Sequence, residues 1–102
     1  MNMNAVNEID LDSRPIRNPA YALQEGSCGW AALVNLDTPA GVAVNATGLL
    51  IWRRIDGIRT VREIIREIKG FFADAPPALG DDVLAILDVL LEAGLIGYEV
   101  NI

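Results

Sequence analysis

The chain has no histidine and a single cysteine, Cys28. No intrachain disulfide can form. Zinc fingers, Cys–His nucleophilic pairs and imidazole acid–base chemistry all lack the residues they need. Cys28 stands in "EGSCGW", which reads as a turn, and no base lies beside it in sequence, so it reads as an incidental thiol. No apolar run approaches the ~20 residues that cross a bilayer. The opening "MNMNAVNEIDLDSRP" lacks the basic region and apolar block of a signal peptide. A cytoplasmic protein with a flexible N-terminal arm over residues 1–18 is expected. Basic charge is also missing from the last third: from Phe71 onward there are six acids and no base. Of the acids, Asp81 and Asp82 are adjacent and diverge on a helix, a poor arrangement for paired-carboxylate catalysis.

What is present points to one packed domain. Apolar residues make up 52% of the 102 residues, enough for a modest core in a chain of this size. The net charge of −6 is unevenly spread, because six of the eight basic residues fall between Arg53 and Lys69. An acidic chain repels phosphate at long range, which weakens any case for nucleic acid.

"NPAYALQEG" reads as a first strand, "WAALVNLD" as a second and "AGVAV" as a third, with "TPAG" as a hairpin connection. Asn45 is a good N-cap for a helix carrying Leu49, Ile51, Trp52 and Ile55. Asp56-Gly57 ends it. Thr60-Val61-Arg62-Glu63 has capping-box spacing, and Val61, Ile64, Ile65 and Ile68 form the buried stripe of a second helix. Gly70 and the Pro-rich "ADAPPALG" follow. A third helix opens at Asp81-Asp82 and stops before Gly94. Stepping 100° per residue spreads Val83, Leu84, Ile86, Leu87, Leu90 and Leu91 over about 160°, wider than one-sided packing needs. "LIGYEVNI" is a candidate final strand. The order predicts an α+β, winged-helix-like fold over residues 19–102: a three-stranded antiparallel sheet followed by three helices.

These residues carry a resemblance. "VAVNATGLLIWRRIDGIRTVREIIREI" and "DDVLAILDVLLEAGLI" are similar to the PqqD-like family, the RiPP recognition elements. The shared pattern is an apolar strand closing on Asn, a small or hydroxyl residue, an apolar helix, Asp-Gly, Thr-Val and Glu-Ile. A second block follows with Asp-Val, several leucines and Gly-Leu. The likeness runs from about Tyr21 to Glu99. Val44 stands where Leu is usual, and Thr38-Pro39-Ala40-Gly41 replaces the Pro-Glu-Gly turn of the pyrroloquinoline quinone members, which points to the general family. The resemblance implies a non-catalytic peptide chaperone with no cofactor of its own. Such a protein binds the leader of a ribosomally made precursor peptide and presents the core to a modifying enzyme, often a radical SAM maturase. It also implies that the leader adds as a strand beside the third strand, in its groove with the third helix.

The residues suit that task on their own terms. An edge strand offers unpaired N–H and C=O groups to an extended peptide, and pockets for alternate side chains give specificity. Gly41, Val42, Ala43, Val44 and Asn45 form the candidate edge, with Leu84, Leu87, Asp88 and Leu91 of the third helix opposite. Arg59, Arg62, Arg66 and Lys69 form a basic face that suits the acidic surface of a partner enzyme. Two other readings fit the element order. One is a winged-helix DNA-binding regulator, disfavoured by Asp81, Asp82, Asp88 and Glu92 on the presumptive recognition helix. The other is a scaffold that pairs with its own twin through the open edge. The expected partners are thus a leader peptide and a modifying enzyme, without nucleic acid or membrane, on a monomer or weak homodimer.

Overall fold

Two helix caps fix the frame on which the rest is hung. Asn45 Oδ1 accepts from the Gly48 N–H at 2.7 Å and starts α1, Ala46–Arg54. Thr60 and Glu63 close a reciprocal capping box, with Glu63 Oε1 accepting from Thr60 N–H at 2.9 Å, and start α2, Val61–Lys69. Both caps satisfy amides that the first turn of a helix leaves without partners. Between them Asp56 accepts from the Ile58 and Arg59 N–H groups, and Gly57 takes φ +78°, a turn that side-chain-bearing residues rarely adopt. The computed structural model describes residues 10–27, 30–38 and 41–98. Cys28, read above as a turn residue, lies outside them.

The strands expected from the sequence are β2 (Tyr21–Glu25), β3 (Ala31–Asn35) and β4 (Gly41–Val44), antiparallel in the order β2-β3-β4. The helices follow, with α3 spanning Leu79–Glu92, two residues earlier than Asp81. The winged-helix-like α+β architecture of one three-stranded sheet and three helices is therefore as expected. The sequence reading did not include β1 (Pro15–Arg17), which pairs antiparallel with the terminal β5 (Ile96–Tyr98) in a separate two-stranded sheet. Residues 10–18, placed within the arm by the sequence reading, are tied to the domain further by Val61 N–H to Ser13 O and Arg62 N–H to Leu11 O.

The core lies between the three helices and one face of the sheet. Leu33, Ile51, Trp52, Ile55, Val61, Ile64, Ile68, Val83, Leu87 and Leu95 are all essentially inaccessible. Leu79, Val83, Leu87 and Leu90 are the buried residues of α3. Their i, i+4, i+8, i+11 spacing seats one stripe of that helix on the core and sets its rotation.

Candidate functional site

The hydrogen-bond parity of the sheet determines what β4 offers to its open side. Gly26 N–H donates to Trp30 O and Leu36 N–H to Ala20 O, both continuing the β2–β3 register of Tyr21↔Asn35 and Glu25↔Ala31. Antiparallel partners alternate between hydrogen-bonded and non-hydrogen-bonded pairs. Ala32 and Val34 therefore turn their main-chain groups toward β2, and Ala31 and Leu33 turn theirs toward β4. Opposite those two stand Val44 and Val42. Gly41 and Ala43 thus direct N–H and C=O away from the sheet. Among the described residues no strand lies beyond β4.

Beside this margin runs an open groove of about 310 Å³. Leu33, Val42, Ala43, Val44 and Asn45 line it from the sheet side, together with Gly48 of α1. Ala85, Ile86, Val89 and Leu90 line it from α3. Gly48 is there because of space: a Cβ at that position would stand 2.8 Å from Val44 Cγ1 and 3.2 Å from Asn45 Oδ1. Val42 and Val89 remain 39% and 62% exposed, so the groove presents apolar surface to solvent. Val42 and Val44 share a face with buried Leu33 and Ala31, to which they are paired. A strand laid against β4 would send every second side chain into the groove and the others away from it.

The structure brings Val42, Ala43, Val44 and Asn45 of the expected site together, with Gly41 contributing main-chain groups. The expected residues of α3 are elsewhere. Leu87 is completely buried in the core, and Leu91 packs half-buried against it. Leu84 lines a different groove, with Arg62 and Arg66. Asp88 stands near Tyr98 of β5, whose phenol is pushed up by burial first and then by the Asp88 charge. The helix faces β4 through Ala85, Ile86 and Val89 instead. The signal lay just outside the 160° apolar arc: Val89, at about 240° from Val83 on the helical wheel, is apolar and off the core stripe.

The basic face is divided. Arg59 is held by Asp56 at 2.6 Å and Glu67 at 2.8 Å. The Glu67 hydrogen bond, chiefly, raises its pKa further above an already high value, so its charge is spent within the molecule. Arg53 pairs with Glu25 and Arg54 with Glu67. Arg62 approaches Asp12 only to 3.5 Å, between exposed groups. Among the described residues Arg66 and Lys69 make no ion pair. No group of three or more His, Cys, Asp or Glu that could hold a metal occurs among them, nor any helix long and apolar enough to cross a membrane.

Fold and site together define a small winged-helix-like domain that sets an open sheet margin beside an apolar groove. The family model for Coenzyme PQQ synthesis protein D (PqqD) matches residues 31–96, which span β3 to the start of β5. The chain belongs to the PqqD family. Its fold is similar to that of a solved structure of TbiB1 in complex with the TbiA(beta) leader peptide. That match has TM-score 0.68 and 19% identity, and covers 84% of this chain and 99% of that one. Among curated protein sequences none matches this chain.

Proposed function

We propose that this protein binds the leader segment of a ribosomally made precursor peptide along β4 and presents the rest of the peptide to a modifying enzyme. The observation that carries the reading is the coincidence of the outward Gly41 and Ala43 main-chain groups with the Val42–Val89 groove. Family membership and the leader-bound relative of the same fold support it. The protein acts by holding and placing a chain. Bond making belongs to the partner enzyme, for which a radical SAM maturase is the first choice.

Magnitudes say which part of the site sets affinity. Gly41 and Ala43 offer about four main-chain hydrogen bonds, each worth roughly 0.5–1.5 kcal/mol net. Ordering a loose peptide costs some ~2–5 kcal/mol. These nearly cancel, so main-chain pairing alone holds no peptide firmly. The surplus comes from apolar side chains entering the groove, roughly 1.5–3 kcal/mol for each large one fully buried. The ligand is therefore an extended segment with apolar residues at alternate positions, and the groove rather than the edge selects it.

The test is a titration of the full chain with labelled synthetic extended peptides that carry apolar residues at alternate positions, followed by anisotropy and by amide NMR. Saturable binding with shifts at Gly41–Asn45 and Ala85–Val89 is the expected result. No binding, or shifts confined to other surfaces, would overturn the reading. Sedimentation in the same samples separates it from pairing of two copies through the same margin.

A further inference from the structure

A second groove, of about 470 Å³, lies on another side of α3 from the first. Leu84, which lines it, and Val89, which lines the first, are about 140° apart around the helix. Its apolar lining is Leu11, Ile65 and Leu84. Its cations are Arg62, Arg66 and Lys69, against the single carboxylate of Asp81. Arg66 and Lys69 make no ion pair among the described residues, and Arg62 has only the distant, exposed Asp12. A chain of net charge −6 thus keeps a positively charged groove here, while its other helix cations are matched internally.

We propose that this groove docks an amphipathic acidic segment of a partner protein, its carboxylates on Arg62, Arg66 and Lys69 and its apolar side chains on Leu11, Ile65 and Leu84. Charge complementarity and the apolar lining choose this occupant together. A nucleic-acid backbone has no apolar groups for that lining and would leave Leu11, Ile65 and Leu84 uncovered. A bilayer surface cannot enter a concave groove between helices. Because the two grooves lie on different sides of α3, the acidic segment and a leader bind at once. Assigning the segment to the modifying enzyme rests on the leader-binding reading; the chemistry of the groove does not.

The experiment uses the full chain, labelled for amide NMR, and the peptide Ac-GELEDLLEG-amide, with Ac-GQLQNLLQG-amide as its uncharged counterpart. The acidic peptide is expected to shift Arg62, Ile65, Arg66, Lys69 and Leu84. Raising salt from about 25 to about 300 mM should weaken it at least fivefold, since exposed charges are then screened. The Arg66→Glu/Lys69→Glu double variant, altered only at exposed positions, should lose it by at least tenfold while Val89→Asp leaves it unchanged. Equal shifts with both peptides, shifts at Gly41–Asn45 instead, no shifts at millimolar peptide, or tighter binding of duplex DNA would each overturn the proposal. Acidic-peptide binding in a chain that ignores its leader would leave this groove's role standing and remove the first reading. The reverse pattern would do the opposite.

Discussion

Val42 of β4 and Val89 of α3 face one groove from opposite walls, and each keeps more than a third of its surface in water although both are aliphatic. An exposed apolar pair beside an unpaired main-chain margin is the surface that an extended apolar segment would cover. Val89→Asp puts a carboxylate into that space at a residue the fold does not need buried. Leader affinity should fall at least tenfold and the unfolding free energy should change by less than about 1 kcal/mol. Leu87→Ala, on the core side of the same helix, should cost about 2–5 kcal/mol of stability because Leu87 is wholly enclosed. Chemical denaturation beside leader anisotropy reads both. Loss of leader affinity in a still-folded Leu87→Ala protein, with Val89→Asp unaffected, would return the site to the face read from sequence.

The parity of β4 makes a sharper pair. Ala43→Pro removes an N–H that points outward and no ladder bond, a position where edge strands tolerate proline. It should fold and bind leader at least tenfold more weakly. Val42→Pro removes the N–H that faces Leu33 and should cost roughly 1–3 kcal/mol by leaving a sheet carbonyl without its donor. Thermal melts and anisotropy of the two variants check the assignment. A reversed outcome would mean that the parity is the other way round.

Acid should loosen the α1–α2 region first. The Thr60 amide, donating to Glu63, holds that carboxyl below its ordinary 4.5. The Arg59 amide, donating to Asp56, does the same below 3.8. Groups depressed in the fold bind fewer protons there than in the unfolded chain. The stability they contribute is present above the ordinary values and is lost as pH falls through the depressed ones. Melting temperature should therefore be flat above about pH 5 and fall below it. Glu63→Gln, which keeps an acceptor for the Thr60 amide without the charge, should flatten part of that fall. An unchanged slope in the variant would remove Glu63 from the account.

Salt should act on the two grooves differently. The Val42–Val89 groove is apolar and contains no charged residue, so leader affinity should change less than threefold between about 25 and about 300 mM salt. A steep salt dependence of leader binding, measured by anisotropy, would place the leader on the basic side of α3 instead.

How much of this was legible in the sequence follows the range of each signal. Asn45, Thr60 and Asp56-Gly57 act over three residues, and the caps and turn stand where the local pattern put them. The three strands of the sheet came from apolar alternation and turn residues. β1 was not legible, because "PIR" is three residues long and becomes a strand only by pairing with β5, some eighty positions away. The β4 half of the candidate site could be read, since an edge offers its own backbone. The α3 half was placed on the stripe of leucines, which the core claims first. Hydrophobicity marks what is apolar, but it does not divide a wide arc between an inner stripe and a ligand-facing one. Val89, beyond the arc read from the sequence, joins the groove wall only once the rotation of α3 is known.

Hydrogen exchange at four neighbouring amides tests the central claim most directly. In the free chain Val42 and Val44, bonded to β3, should exchange slowly, and Gly41 and Ala43, turned to solvent, should exchange fast. Adding leader peptide should slow Gly41 and Ala43 by at least tenfold and leave the other two nearly as they were. Gly41 and Ala43 amides already protected without peptide, or still fast when the leader is bound to saturation, would contradict strand addition at β4.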